Sequence, residues 1–202
     1  GVGEHTDYGL LTLLAQDDRF AYPNMFQISF PHCCLSREAL VIKALESAPS
    51  QKRAMDNVEI TFRSPGEDEG GLAVLSLCSP LLGWSFPRRE EYYERYLTFR
   101  DASPEEVEAF RRALILFLRK LTWRYNRPVI LKSPGHTARV RLMLETFPQA
   151  RFVHICRDPY AVFQSMGRLY EKTVSLAYLQ RPPEGGRDDG ILRRYATMYD
   201  AY

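Results

Sequence analysis

Two short apolar runs stand out in the second half of the chain, and a segment with helical spacing separates them. The runs are Val129–Leu131 and Phe152–Cys156. Continuous apolar runs of this length are typical of strands inside a parallel sheet that helices cover on both faces. The segment from His136 or Thr137 to Phe147 is predicted to be the crossover helix. The pattern therefore predicts an α/β fold with a three-layer parallel sheet and flanking helices.

Helical spacing and end signals predict further helices along the chain. The strongest begins with Ser103 as its cap and Pro104 at its first position, carries acidic residues in its first turn, and runs to about Tyr125. Other predicted helices are Tyr8–Ala15, Ser36–Glu46, Pro159–Tyr178 and a last one that reaches Tyr202. Predicted connecting segments are Pro49–Asp56, Gly66–Gly71 and Pro182–Gly190.

The composition favours one domain over residues 1–202 with a substantial core, since 45% of the residues are hydrophobic. No apolar stretch has the length of a membrane span, and the first residues do not have the pattern of a signal peptide. The four cysteines show neither a disulfide framework nor zinc-ligand spacing, which favours a cytoplasmic location. The net charge of +2 argues against a nucleic-acid or membrane-surface partner and leaves the oligomeric state open.

A cationic residue follows each of the two predicted strands, and this pair indicates an anion site. Lys132 follows the first strand and Arg157 the second. Ligands of open parallel sheets bind beyond the carboxyl ends of the strands, often at a helix start. If Asp158-Pro159 opens the next helix, Ser165 lies about 10 Å along it. The spacing predicts a phosphate or sulfate site.

These residues resemble a known family of enzymes. Leu131-Lys132-Ser133-Pro134-Gly135-His136, the lead-in Phe147–Val153 and Arg157 with Ser165 eight positions later resemble the sulfotransferases that use 3'-phosphoadenylyl sulfate. The resemblance is looser from Arg19 to Leu118. It implies a P-loop nucleoside-kinase-like architecture and transfer of a sulfuryl group to a hydroxyl or amine of a small-molecule or glycan acceptor. It also implies that Arg157 and Ser165 grip the 3'-phosphate of the nucleotide.

The other candidate site residues can be interpreted in more than one way. Lys132 can stabilise the negative charge that develops during sulfuryl transfer, with Ser133 as a further donor, or can simply point to solvent. His136 can act as the base toward the acceptor, or can make a local hydrogen bond at a helix start. Glu67 is an alternative base, placed by the family-like acidic loop, and Arg157 can instead pair with Asp158.

The sequence also predicts roles for three further sets of residues. Glu69 shares the acidic loop of Glu67 and is a second alternative base. His154 is predicted to be a core histidine. The aromatic residues between 92 and 99 are expected in the core, or otherwise in an acceptor pocket.

The amino-terminal segment Gly1–Asp18 departs from the sulfotransferase pattern. It lacks the Arg-Ser-Gly-Thr-Thr type of loop that cradles the 5'-phosphosulfate in the family, and it resembles the metal-binding strand of iron and 2-oxoglutarate dependent oxygenases through His5 and Asp7. Because no histidine lies between His32 and His136 to complete an iron site, no metal is expected. The sequence is interpreted as a fragment or chimera, incomplete at both ends, with impaired transfer. The main alternative is a nucleotide-binding protein without catalysis.

Overall fold

The computed structural model describes residues 6–45, 51–52 and 59–202. Ten α-helices and two strands occur within these ranges. The helices are α1 Thr6–Leu14, α2 Met25–Ser29, α3 Cys34–Ala44, α4 Asp68–Ser76, α5 Leu81–Ser85, α6 Glu90–Thr98, α7 Pro104–Tyr125, α8 Val140–Thr146, α9 Pro159–Lys172 and α10 Arg187–Ala201. The strands are β1 Gln51–Lys52 and β2 Glu59–Ile60, and short 3-10 helices cover Pro87–Arg89, Pro134–Arg139 and Val174–Ala177.

The described residues divide into two compact units, and α7 has residues in both. The first unit comprises Cys78–Glu108 and Pro134–Tyr202. Its helices α9 and α10 enclose a small apolar cluster of buried and partly buried side chains, centred on Tyr170, Val174 and Ile191. Apolar burial of this kind is the main force that holds helices together. The prediction of one domain over residues 1–202 stays a prediction.

The second unit comprises the described residues up to Leu77 together with Ala109–Ser133. Helix α2 lies against α3 and α4. The inner face of α7 is fully buried here, with apolar side chains at helical spacing. Its buried residues in this unit are Phe110, Ala113, Leu114, Phe117 and Leu121.

The three-layer parallel sheet is not confirmed within the part of the chain that the structure describes. The strands β1 and β2 form a two-stranded antiparallel pair, and Val129 makes a single parallel bridge with Ala21. Phe152–Cys156 is not a strand, and Val153 is 82% exposed. A strand needs a neighbour to satisfy its backbone groups, and the apolar pattern alone did not identify one for this run. Cys156, predicted inside the strand, is exposed.

The helix predictions fared better because their signals are local. Helix α7 spans Pro104–Tyr125, as predicted. Helix α3 begins at Cys34 rather than at Ser36, and the side chain of its N-cap residue Cys33 does not cap the helix. Four of the six residues of the predicted loop Gly66–Gly71 belong to α4, which begins at Asp68, and α9 ends at Lys172, before the predicted Tyr178. No helix in the described ranges is long and apolar enough to cross a membrane.

Candidate active site

The acidic loop is held against α2 by close packing. The Gly66 N–H donates to the Pro23 carbonyl at 2.9 Å, and Glu67 is the N-cap residue of α4. A Cβ atom on Gly66 would lie 2.0 Å from Ile28 Cδ1, so a larger residue would require the Ile28 side chain or the loop to move. Asp68 and Glu69, in the first turn of α4, are buried. The loop therefore presents Glu67 from a fixed backbone.

Lys132 and Glu67 form an ion pair in the second unit. The Lys132 ammonium donates to Glu67 Oε1, and the two side chains are 15% and 43% exposed. Next to this pair, the Ser133 hydroxyl donates to Glu69 Oε2 at 3.5 Å, a long hydrogen bond. The structure thus brings together four of the residues named from the sequence. Their pairing was not predicted, because 65 positions separate Lys132 from Glu67.

An extended segment at residues 21–24 connects the backbones that carry the ion pair. On one edge, the Ala21 N–H donates to the Pro128 carbonyl and the Ile130 N–H donates to the Ala21 carbonyl, both at 2.8 Å. On the other edge, Asn24 makes an antiparallel bridge with Pro65. Lys132 follows the first of these pairings by two residues. Glu67 follows the second by two residues.

Arg157 and Ser165 lie in the first unit, at the start and in the middle of α9. Asp158 is the N-cap residue of α9, its carboxylate accepts from the Tyr160 N–H at 3.1 Å, and Pro159 holds the first helical position. This helix start is the one that the sequence predicts. Ser165 follows Pro159 by six residues, a rise of about 9 Å. Both Arg157 and Ser165 are half-buried.

His136 is half-buried in the 3-10 helix Pro134–Arg139 of the first unit. At the end of the same helix, the buried Arg139 guanidinium donates to the carbonyls of Tyr96 and Leu97 at 2.7 to 3.2 Å. This contact satisfies carbonyls at the end of α6, which lack partners within the helix. The role of His136 as a base stays a prediction.

The predictions for the aromatic residues and for His154 are confirmed only in part. Tyr96 and Phe99 are buried, as expected for core residues, whereas Tyr92 is about half exposed and stacks under the Arg95 guanidinium at 4.3 Å. His154 is half-buried and stacks on Tyr202 with ring centroids 4.5 Å apart, so it is not a core histidine. The segment around His154 is not a strand, which removes the alternation on which that prediction rested.

The oxygenase-like segment also differs from its predicted form. Asp7 lies in α1, a helix, whereas the resemblance required a strand there. Residues two apart share a face of a strand but not of a helix. His5 lies outside the described residues. The strand geometry expected for a metal-ligand pair is therefore not met at Asp7.

The comparisons with known proteins place the chain in an enzyme family. A family model described as "Sulfotransferase family" matches residues 80–202, and the chain belongs to this family. The region matched includes Lys132, Arg157 and Ser165. The protein is therefore an enzyme of the sulfotransferase family.

Two curated relatives are similar to most of the chain. They are the proteins named omega-hydroxy-beta-dihydromenaquinone-9 sulfotransferase Stf3 from Mycobacterium bovis and Mycobacterium tuberculosis, each 37% identical over 187 residues. The match covers 93% of this chain and 48% of each relative. The chain thus spans about half the length of the curated relatives it matches. No solved structure matches the chain significantly.

Proposed function

We propose that this chain carries the site at which a sulfuryl group passes from 3'-phosphoadenylyl sulfate to a hydroxyl group of a small-molecule acceptor. The observation that supports the proposal most directly is the Lys132–Glu67 ion pair. It joins a cation to a partly exposed carboxylate in a chain of the sulfotransferase family. In the proposed mechanism, the carboxylate accepts a proton and the cation stabilises the leaving group.

In the proposed step, the acceptor oxygen attacks the sulfur atom of the donor. A new bond forms between that oxygen and sulfur, and the bond from sulfur to the bridging oxygen of the 5'-phosphate breaks. The bridging oxygen keeps the electron pair, and adenosine 3',5'-bisphosphate leaves. The acceptor's hydroxyl proton passes to the Glu67 carboxylate, while the Lys132 ammonium stabilises the charge that grows on the bridging oxygen.

The greater exposure of its side chain favours Glu67 over Glu69 as the base. Its side chain is 43% exposed, so an acceptor can reach it, whereas Glu69 is only 3% exposed. The pairing with Lys132 holds the Glu67 carboxylate next to the cation, so one side chain orients the other. In this proposal Ser133 adds a hydrogen-bond donor beside the pair, and His136 remains a second candidate for the base.

Arg157 and Ser165 are proposed to bind the 3'-phosphate of the nucleotide. A guanidinium matches two phosphate oxygens at once, and charge-assisted contacts of this kind contribute about 1.5–3 kcal/mol each. The start of α9, capped by Asp158, places Arg157 just outside the helix. The three-layer parallel sheet of the P-loop architecture is part of the same proposal, supported by the parallel bridge between Ala21 and Val129.

The acceptor is proposed to be a hydroxylated small molecule. The names of the two relatives specify a hydroxylated menaquinone, a small-molecule lipid, and this favours a hydroxyl acceptor over an amine or a glycan. A cytoplasmic location and the absence of a nucleic-acid partner stay predictions from the sequence.

The test measures transfer from sulfur-labelled donor to a panel of hydroxylated acceptors under single-turnover conditions. Single-turnover conditions separate the chemical step from nucleotide binding and product release. Lys132→Ala and Glu67→Gln should each lower the transfer rate by about a hundredfold or more, because each removes a charge that acts on the transition state. Binding of adenosine 3',5'-bisphosphate should change little.

A matched control is Glu145→Gln. Glu145 is 45% exposed and pairs with Arg141, so it resembles Glu67 in exposure and in its ionic contact. The control should transfer at the wild-type rate. Unchanged transfer in both site variants would refute the assigned roles, and wild-type protein that binds the nucleotide without any transfer would identify a non-catalytic nucleotide-binding protein.

A further inference from the structure

We propose that Glu38 is a positioning residue that sets the geometry of the Lys132–Glu67 pair without touching either side chain. The inference rests on the proposed function of that pair. Glu38 lies on α3 and is 4% exposed. A carboxylate is rarely buried unless it is fully hydrogen-bonded, so its partners define its role.

Glu38 accepts hydrogen bonds from two side-chain amides. Asn24 Nδ2 donates to Glu38 Oε1 at 2.7 Å, and Gln27 Nε2 donates to Glu38 Oε2 at 2.9 Å. Arg124 Nε lies 3.3 Å from Oε2 and balances the charge. An ionised carboxylate accepts hydrogen bonds and donates none. Both amide NH2 groups must therefore face Glu38.

This constraint turns both amide oxygens toward the backbone at the start of α2. Asn24 Oδ1 accepts from the Gln27 N–H at 2.9 Å, and Gln27 Oε1 accepts from the Asn24 N–H at 3.0 Å. The two contacts are a reciprocal capping box. Glu38 thus selects the one amide orientation that closes the box.

The capping box fixes the extended segment that links the two halves of the site. Just before α2, the Pro23 carbonyl accepts from the Gly66 N–H, next to Glu67. The Ala21 carbonyl accepts from the Ile130 N–H, two residues before Lys132. A change in the backbone at residues 21–24 would therefore shift Glu67 and Lys132 relative to each other. Misplacement of reacting groups by about 1 Å can cost about a hundredfold in rate.

The test exchanges donors and acceptors while keeping side-chain size nearly constant. In Glu38→Gln, a new NH2 group replaces one carboxylate oxygen and therefore faces the amide NH2 group of either Asn24 or Gln27. Relief requires that amide to turn and open the capping box. In the double variant Glu38→Gln with Asn24→Asp, the new carboxylate accepts from the new amide and still caps α2, and the total charge matches the wild type. The single variant should lose about tenfold or more in single-turnover transfer rate. The double variant should recover to within about threefold of the wild type.

Amide hydrogen exchange measures the protection of the backbone amides and gives a second test that does not depend on activity. The single variant should lose protection at the N–H groups of Gln27, Gly66 and Ile130, and the double variant should regain it. Amides of α9, in the other unit, should keep their protection in both variants.

Ile42→Ala is the control for simple loss of stability. Ile42 is buried on the same helix, one turn from Glu38, so its truncation should lower the melting temperature while leaving the transfer rate unchanged at temperatures where the protein is folded. Tyr125→Phe removes the second acceptor of Gln27 Nε2 but leaves both amides oriented, and it should also transfer at the wild-type rate.

The outcomes separate this inference from the proposed function. If Glu38→Gln keeps both the wild-type transfer rate and the local protection, or if the double variant fails to recover them, the positioning role is wrong. If no variant and no wild-type protein transfers sulfate, the proposed function fails. In that case, loss and recovery of protection at Gly66 and Ile130 would still support control of the segment by Glu38.

Discussion

Arginine side chains of the first unit serve different purposes, and their surroundings decide which. Arg139 is buried and binds the carbonyls at the end of α6. Arg194 has a largely buried side chain that pairs with Glu90 and Glu94. Arg157 is half-buried just before α9, at a helix start where anions are favoured. The first two stabilise the fold, whereas the position of Arg157 suits a phosphate ligand.

Arg157→Ala is therefore expected to lower the affinity for adenosine 3',5'-bisphosphate by about tenfold or more, equivalent to about 1.4 kcal/mol. Ser165→Ala should cost less, because a hydroxyl contributes a neutral hydrogen bond. Titration calorimetry measures both, and Arg193→Ala, at an exposed site on α10, is the control. Equal affinity of the wild type and Arg157→Ala, or no preference for the bisphosphate over AMP, would contradict the assignment.

The starts of α7 and α9 are the ones that the sequence predicts correctly, and α7 explains why. Ser103 and Glu106 form a reciprocal cap, in which the Ser103 N–H donates to Glu106 Oε2 at 2.7 Å and the Glu106 N–H donates to Ser103 Oγ at 3.3 Å. Both partners lie within four residues, so a local pattern suffices. Glu106 also binds Arg95 and Tyr96 of α6, and no local pattern predicts that contact.

The contacts of Glu106 predict an acid-sensitive connection between α6 and α7. Burial alone would raise the pKa of Glu106, but hydrogen bonds from the Ser103 N–H, the Tyr96 hydroxyl and the Arg95 guanidinium outweigh burial and lower the pKa below its ordinary value of 4.5. A carboxyl whose pKa is lower in the folded state stabilises the fold fully above its unfolded pKa. This contribution is lost as the pH falls through the folded pKa.

Glu106→Gln should consequently lower the free energy of unfolding by about 1 kcal/mol near neutral pH, and the difference from the wild type should shrink as the pH falls below 4.5. Urea unfolding at a series of pH values measures this difference. The exposed Glu108 provides the control variant Glu108→Gln, which should follow the wild-type curve. A difference that grows toward acid pH would show that the direction assigned to the pKa shift of Glu106 is wrong.

Strands were harder to predict than helices for a physical reason. The apolar pattern of Phe152–Cys156 is compatible with a buried strand, but a strand also needs a partner whose distance along the chain no local pattern encodes. Val129 does find such a partner, since Ala21 pairs with it across more than 100 positions. Burial by distant segments, rather than the sequence of the run itself, decides which apolar run becomes a strand.

At the scale of the whole molecule, the residues of the candidate site were recognisable and their arrangement was not. Lys132 was identified from its position after a predicted strand, and Glu67 through the family-like acidic loop, yet only the folded chain brings them into one ion pair. Glu38 was missed, although it shares a helix face with the buried Cys34 and Ile42, four residues to either side. A carboxylate on an otherwise buried face is the signal that could have found it.

The exposed Cys156 is a position at which an attached fluorophore can report nucleotide binding. Burial raises the pKa of the Cys34 and Cys78 thiols, and the thiolate is the form that reacts with alkylating dyes. Cys156 is the exposed cysteine and Cys33 is only partly accessible. A maleimide fluorophore should thus attach first to Cys156, directly beside Arg157, and a Cys33→Ser background would make the labelling uniform. Its emission would follow nucleotide arrival and departure in real time, without any radioactive substrate.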